Sequence, residues 1–78
     1  MIEDERFFND LTEIVKVERK KRNISQLKLS NILGHNSTSY VARIELRENG
    51  ANYNLSHLLK IAHEFEIDIK DLIPNSLD

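Results

Sequence analysis

The chain has no cysteine, which excludes a disulfide framework and any thiolate metal site. One proline and two glycines are too few breakers for a many-turned β sandwich. The two glycines, Gly34 and Gly50, stand far apart, so no glycine-rich phosphate loop exists. No apolar run approaches the roughly 20 residues that a membrane span needs, and no membrane partner is expected. The opening Met1-Ile2-Glu3-Asp4-Glu5 is acidic, unlike a signal or transit peptide, and a cytoplasmic location is expected. Aromatics at 6% and charged residues at 31% suit a helical soluble domain. At 78 residues there is room for one domain, expected over positions 1–78. Within it, positions 1–10 extend the first helix and positions 75–78 form a frayed tail.

A net charge of −2 speaks against nucleic acid, whose binders are usually basic. The total hides a segregation. From Lys16 to Arg47 lie Lys16, Arg19, Lys20, Lys21, Arg22, Lys28, Arg43 and Arg47, opposed only by Glu18 and Glu45. The acids crowd the two ends of the chain. Charge blocks of this kind serve either as solvated helix faces or as a seat for a polyanion.

Hydrophobic spacing divides the chain into five helices. Phe7, Leu11, Ile14 and Val15 mark one face of a first helix from about Asp4 to Arg22. Its acidic start and basic end suit the helix dipole, and Asn23 can leave it in a left-handed turn. Ser25 caps a second helix with the stripe Leu29, Ile32 and Leu33, closed by Gly34. After the polar turn His35 to Ser39, a third stripe of Tyr40, Val41, Ile44 and Leu46 runs to Asn49-Gly50. Asn54 caps a fourth helix whose broad buried face holds Leu55, Leu58, Leu59, Ile61, Ala62 and Phe65. Asp68 caps a last short helix through Leu72, which Pro74 stops. No strand alternation or internal repeat occurs, so the expected fold class is all-α.

Candidates for chemistry are few. His57 and His63 are six residues apart on one helix and share no face, so no metal site and no cofactor are expected. No serine has a base and an orienting acid assembled by motif, so an enzyme is not expected. The centre of the chain is more informative. A short helix, a turn at Gly34 and a helix opening with Ser37, Thr38 and Ser39 make a shape that can enter the DNA major groove N-terminus first. Short hydroxyl side chains there reach base edges, and helix N-termini offer N–H groups to phosphates. Ser37 alone suffices as a cap, which frees Thr38 and Ser39 for contact. At helical spacing Arg43 has Ser39, Tyr40, Leu46 and Arg47 as neighbours and no acid, so the two arginines are expected to face DNA together.

The ordered set Arg19, Asn23-Ile24-Ser25-Gln26, Leu29, Leu33-Gly34, Ser39 to Glu45, Leu58 to Ala62 and Ile67 to Leu72 resembles the Cro/repressor-type helix-turn-helix, the XRE family. The resemblance covers about Leu11 to Pro74 and implies a five-helix, λ-repressor-like DNA-binding domain. It implies that Gln26 bonds to a phosphate or a nearby base and that Thr38, Ser39 and Arg43 read bases. Ser37, Tyr40, Arg47, Lys28 and His35 complete the expected DNA-binding set. It also implies a structural ion pair between Arg19 and Glu45.

The family's pattern is departed from at the turn before Ser37, about one residue long, and between Glu45 and Asn54, about two residues long. Lys28 stands where a capping-box glutamate is usual, and Glu66 replaces the usual glycine after the fourth helix. One such domain buries little DNA, so a homodimer on a roughly palindromic operator is expected. Its interface is expected at Ile69, Leu72, Ile73 and Leu77, and Phe8 lies off the first stripe as an exposed apolar contact. The resemblance implies a transcription regulator acting on double-stranded DNA, such as a phage-type repressor or a restriction–modification controller protein. The alternatives are an antitoxin with a toxin partner and a protein-interaction module of the same fold.

Overall fold

The computed structural model describes residues 4–75. They form α1 (Asp4–Lys21), α2 (Gln26–Ile32), α3 (Ser39–Glu45) and α4 (Leu55–Phe65), with 3-10 turns at Glu48–Gly50 and Ile69–Leu72. No strand occurs among the described residues, so the chain is all-α as expected. The fifth expected helix is only a 3-10 turn. The expectations for positions 76–78, Leu77 among them, lie outside the described residues. No helix among the described residues is long and apolar enough to cross a membrane.

Local chemistry sets most boundaries. Asn23 leaves α1 with φ of 56°, and the Ile24 N–H closes back on the Arg19 carbonyl at 3.1 Å. Ser25 Oγ accepts the Lys28 N–H at 3.0 Å and starts α2. Gly34, at φ of 90°, ends it in a conformation that costs a residue with a Cβ strain. Asn54 and His57 cap α4 reciprocally: Asn54 Oδ1 accepts the His57 N–H at 2.8 Å, and His57 Nδ1 accepts the Asn54 N–H at 3.1 Å. A glutamate or glutamine usually closes such a box. At its far end Glu66 takes φ of 56°, while the Ile67 N–H reaches the Ala62 carbonyl at 3.0 Å. Asp68 Oδ1 accepts the Lys70 N–H at 3.0 Å and opens the final turn.

The core joins Leu11 and Val15 of α1, Leu29 and Leu33, Val41 and Ile44 of α3, Tyr53, Leu58, Ile61, Ala62 and Phe65 of α4, and Leu72. Phe7, Ile14 and Ile67 pack against it from the side. The buried α4 face is thus Leu58, Ile61, Ala62 and Phe65, one stripe at helical spacing. Leu55 and Leu59, expected on it, lie on the flank and are 67% and 58% exposed. Leu46, expected in the third stripe, is 77% exposed, because it falls off the Val41–Ile44 line by half a turn.

The C-terminal dimer expectation also needs correction. Leu72 is fully buried in the core of its own chain, and Ile69 is half-buried against the same core. Only Ile73 of the described members is exposed, at 38%. The cause is the final turn's packing onto α1 and α4, which draws Leu72 inward. Phe8 is not freely exposed either. Its ring meets Phe7 edge-on at 5.6 Å, and the Arg47 guanidinium lies over it at 5.5 Å.

Candidate nucleic-acid interface

Helix α3 is fixed by polar contacts on its inner side. The stripe Leu11, Val15 continues one turn on to Arg19, so α1 delivers a guanidinium to the edge of the core. Arg19 Nε donates to Glu45 Oε2 at 2.8 Å and Nη2 donates to Oε1 at 3.2 Å, a bidentate pair of side chains only 8% and 5% exposed. Nη1 donates to the Ile24 carbonyl at 2.8 Å. Gln26 Nε2 donates to Glu45 Oε1 at 2.8 Å. One carboxylate therefore ties the end of α3 to both α1 and the start of α2. At the other end, the buried Ser30 hydroxyl accepts the Val41 N–H at 3.2 Å and satisfies a free donor of α3's first turn.

The outer side of α3 carries Ser39, Ala42 and Arg43 at helical spacing, with Leu46 just past the helix end. Arg43 is exposed and makes no ion pair or hydrogen bond with the described residues. Thr38 is likewise exposed with its hydroxyl unengaged. Ser37 Oγ accepts the Ser39 N–H at 3.2 Å, but the N-cap position of α3 is Thr38, whose side chain makes no capping bond. The Ser37 and Ser39 hydroxyls also share a hydrogen bond of 2.7 Å. Of the two hydroxyl residues expected to read bases beside Arg43, Thr38 is free among the described residues and Ser39 is partly occupied.

Other members of the expected set are engaged within the protein. Gln26 has given its amide N–H to Glu45 and keeps only its carbonyl oxygen for a ligand. Tyr40 stacks on His35 with centroids 3.6 Å apart, and its hydroxyl lies 3.3 Å from His57 Nε2. Both rings are thereby turned toward α4 rather than left free for phosphate. Arg47 is a clear correction. It does not share Arg43's face, because α3 ends at Glu45 and Arg47 turns the chain at φ of 52°. Its guanidinium folds back on α1, donating to Glu5 Oε1 at 3.1 Å and Asn9 Oδ1 at 3.3 Å, with the side chain only 11% exposed.

The basic run of α1 divides in the same way. Glu18 pairs with Arg22 at 2.7 Å and Lys21 at 3.1 Å, and these two cations hold its carboxyl below the usual carboxylate range. Arg22 Nη2 also donates to the Phe65 carbonyl at 3.3 Å, and its guanidinium lies 4.6 Å above the Phe65 ring. Lys16 and Lys20 have no such partner among the described residues. They line a cleft of about 430 Å³ together with Arg19, Gln26, Ala42, Glu45 and Leu46. Lys28 is exposed on α2 and also unpaired among the described residues. The arrangement can bind an anion along this side by long-range attraction and by Arg43's five donors.

Reading the sequence alone overlooked Ser30, Ala42, Leu46 and His57. The offsets of Ala42 and Leu46 from Ser39 and Arg43 do signal a shared face. Nothing local marks Ser30, whose partner comes from another element; His57 has its cap partner Asn54 three residues before it, but Tyr40 reaches it only through the fold. Among the described residues no cluster of three or more histidine, cysteine or acidic side chains could hold a metal ion.

No family model and no curated protein matches the chain. Solved structures do. The chain is similar to hydroxypropylphosphonic acid epoxidase (HppE) from S. wedmorenis in its fosfomycin complex, at 28% identity and a TM-score of 0.70, over 86% of this chain and 34% of that one. Cobalt(II) HppE with substrate gives 28% identity and a TM-score of 0.71, over 87% of this chain and 36% of that one. Apo-HppE gives 28% identity and a TM-score of 0.69, over 86% and 36%. The chain therefore spans about a third of the length of the epoxidase structures it matches.

Proposed function

We propose that this chain is a sequence-specific, DNA-binding transcription regulator of the Cro/repressor type, with a λ-repressor-like fold and a cytoplasmic location. It docks α3 in the major groove as a homodimer on a roughly palindromic operator. One observation carries the reading: α3 is locked on its inner side by Arg19, Glu45, Gln26 and Ser30, while Thr38 and Arg43 stand unengaged on its outer side. A helix held rigidly with free polar side chains outward meets the requirement for reading base edges. Lys16, Lys20 and Lys28 supply unpaired positive charge for phosphates. The exposed Leu55 and Leu59 of α4 are the apolar side chains most available for self-association.

The test is selection of duplexes from a random pool, followed by binding measured across a salt series. Affinity is expected to fall linearly with log salt, by about 0.9 log unit for each phosphate neutralised. Arg43→Ala is expected to weaken the selected duplex by about 1–3 kcal/mol and to relax its sequence preference, with thermal unfolding unchanged. Unaltered affinity in that variant removes Arg43 from the interface.

The second reading is a helical interaction module. It is favoured by the likeness to about a third of an epoxidase chain, in which this fold accompanies a larger remainder. Undetectable or salt-insensitive DNA binding selects it over the regulator. The antitoxin reading keeps the DNA site and adds a toxin as partner.

A further inference from the structure

His57 lies at a junction of four elements. Its ring is in the capping box of α4, its Nε2 faces Tyr40 of α3, and Tyr40 is stacked on His35 of the α2–α3 connection. Tyr53, from the segment before α4, meets the His57 ring edge-on at 6.2 Å. The residue itself is 8% exposed. A backbone N–H can only donate, so the Asn54 N–H at 3.1 Å requires a lone pair on His57 Nδ1. That assigns the ring proton to Nε2, where it can be donated to the Tyr40 hydroxyl at 3.3 Å, with Asn54 Nδ2 3.5 Å away.

We propose that His57 is a positioning residue for α3 whose hold requires a neutral ring: the Nε2–H tautomer joins the α4 N-terminus to Tyr40, and a second proton, on Nδ1, opens that joint. Protonation sets Nδ1–H against the Asn54 N–H, donor facing donor in a partly buried place. A glutamate or glutamine at this position of the box has no such sensitivity near neutral pH. Tyr40 is the second residue of α3, beside Ser39 and Thr38, so the joint bears on the end of the helix that presents them.

The groups acting on the ring come from each neighbouring element: His35 from the α2–α3 connection, Tyr40 from α3, Tyr53 from the segment before α4, and Lys60 from α4. Burial comes first, then the charges of His35 and Lys60, and together they hold His57 below its ordinary value of 6.5. The sign follows. The unfolded chain takes up the proton more readily than the folded one. The stability contributed is therefore complete above about pH 6.5 and is lost as pH falls through the folded value.

The consequence for DNA rests on the regulator reading; the joint itself does not. Wild-type chain and His57→Gln are compared, since glutamine keeps an acceptor for the Asn54 N–H but does not titrate. From pH 7.5 to pH 5, the wild-type melting temperature is expected to drop by about 4–8 °C more than that of the variant. Nitrogen-resolved NMR of the wild type is expected to show the Nε2–H tautomer at pH 7.5. The amide signals of Ser39 and Tyr40 are expected to follow the His57 titration and to lose that step in His57→Gln. On a selected duplex at fixed salt, wild-type affinity is expected to fall roughly 3- to 10-fold more than the variant's over the same range. An Nδ1–H tautomer, or equal pH dependence in both proteins, overturns the proposal. Should the variant not fold, the wild-type tautomer and the amide titration decide. Should neither protein bind any duplex, the regulator reading fails while melting and NMR still decide the role of His57.

Discussion

Glu45→Ala is expected to lower the unfolding free energy by about 3–5 kcal/mol, the cost of breaking a buried ion pair from one side. The expectation follows from what the substitution strands. The Arg19 guanidinium, 8% exposed in its pair, keeps the Ile24 carbonyl and loses both carboxylate oxygens, while the Gln26 amide loses its acceptor. With both side chains of the pair over nine-tenths buried, water replaces the lost partners poorly, so much of the desolvation cost is incurred. For a domain of this size such a loss is a large fraction of the total stability. Urea denaturation followed by circular dichroism measures it. The double variant Arg19→Met, Glu45→Leu is expected to regain most of the loss, since it leaves no unpaired charge. A cost below about 1 kcal/mol for Glu45→Ala, the range of exposed pairs, contradicts the buried geometry. The same double variant also asks whether the pair matters for orientation. A protein that folds well but binds the selected duplex poorly assigns it the task of aiming α3.

Leu72→Ala is expected to cost about 2–5 kcal/mol, as for other fully buried leucines. The side chain has no exposed surface, and the short final turn that carries it has little room to collapse around a cavity while the Asp68 and Asp71 carboxylates cap its start. The loss should be independent of protein concentration, because Leu72 packs within its own chain. A loss that shrinks as concentration rises would place Leu72 between subunits instead. Denaturation at two concentrations a hundredfold apart separates the outcomes.

Helix ends were readable because their causes are local. Asn23, Ser25, Asn54 and Asp68 each act on backbone groups within a few residues, and all four do what their chemistry suggests. The Arg19–Glu45 pair was reachable only through the family resemblance, since its members lie 26 residues apart. Arg43 was legible as a free group because no acid falls at helical spacing from it, and Thr38 because Ser37 could serve as the cap. Arg47 was misread by the same logic. Continuing the spacing from Arg43 assumed an unbroken helix, and a left-handed turn at Arg47 itself breaks it.

The sequence by itself determined an all-helical chain, the positions of its caps and the basic bias of its middle. Periodicity and capping depend on neighbours along the chain, so no tertiary information is needed for them. The tertiary structure decided which of these charges remain available. It gave Arg47 to Glu5, Arg22 to Glu18 and Phe65, and Arg19 to Glu45, leaving Lys16, Lys20, Lys28 and Arg43 outward. It also placed Leu72 inside and Leu46, Leu55 and Leu59 outside. Those outcomes depend on how helices cross, which sets the half-turn by which one leucine meets the core and the next meets water.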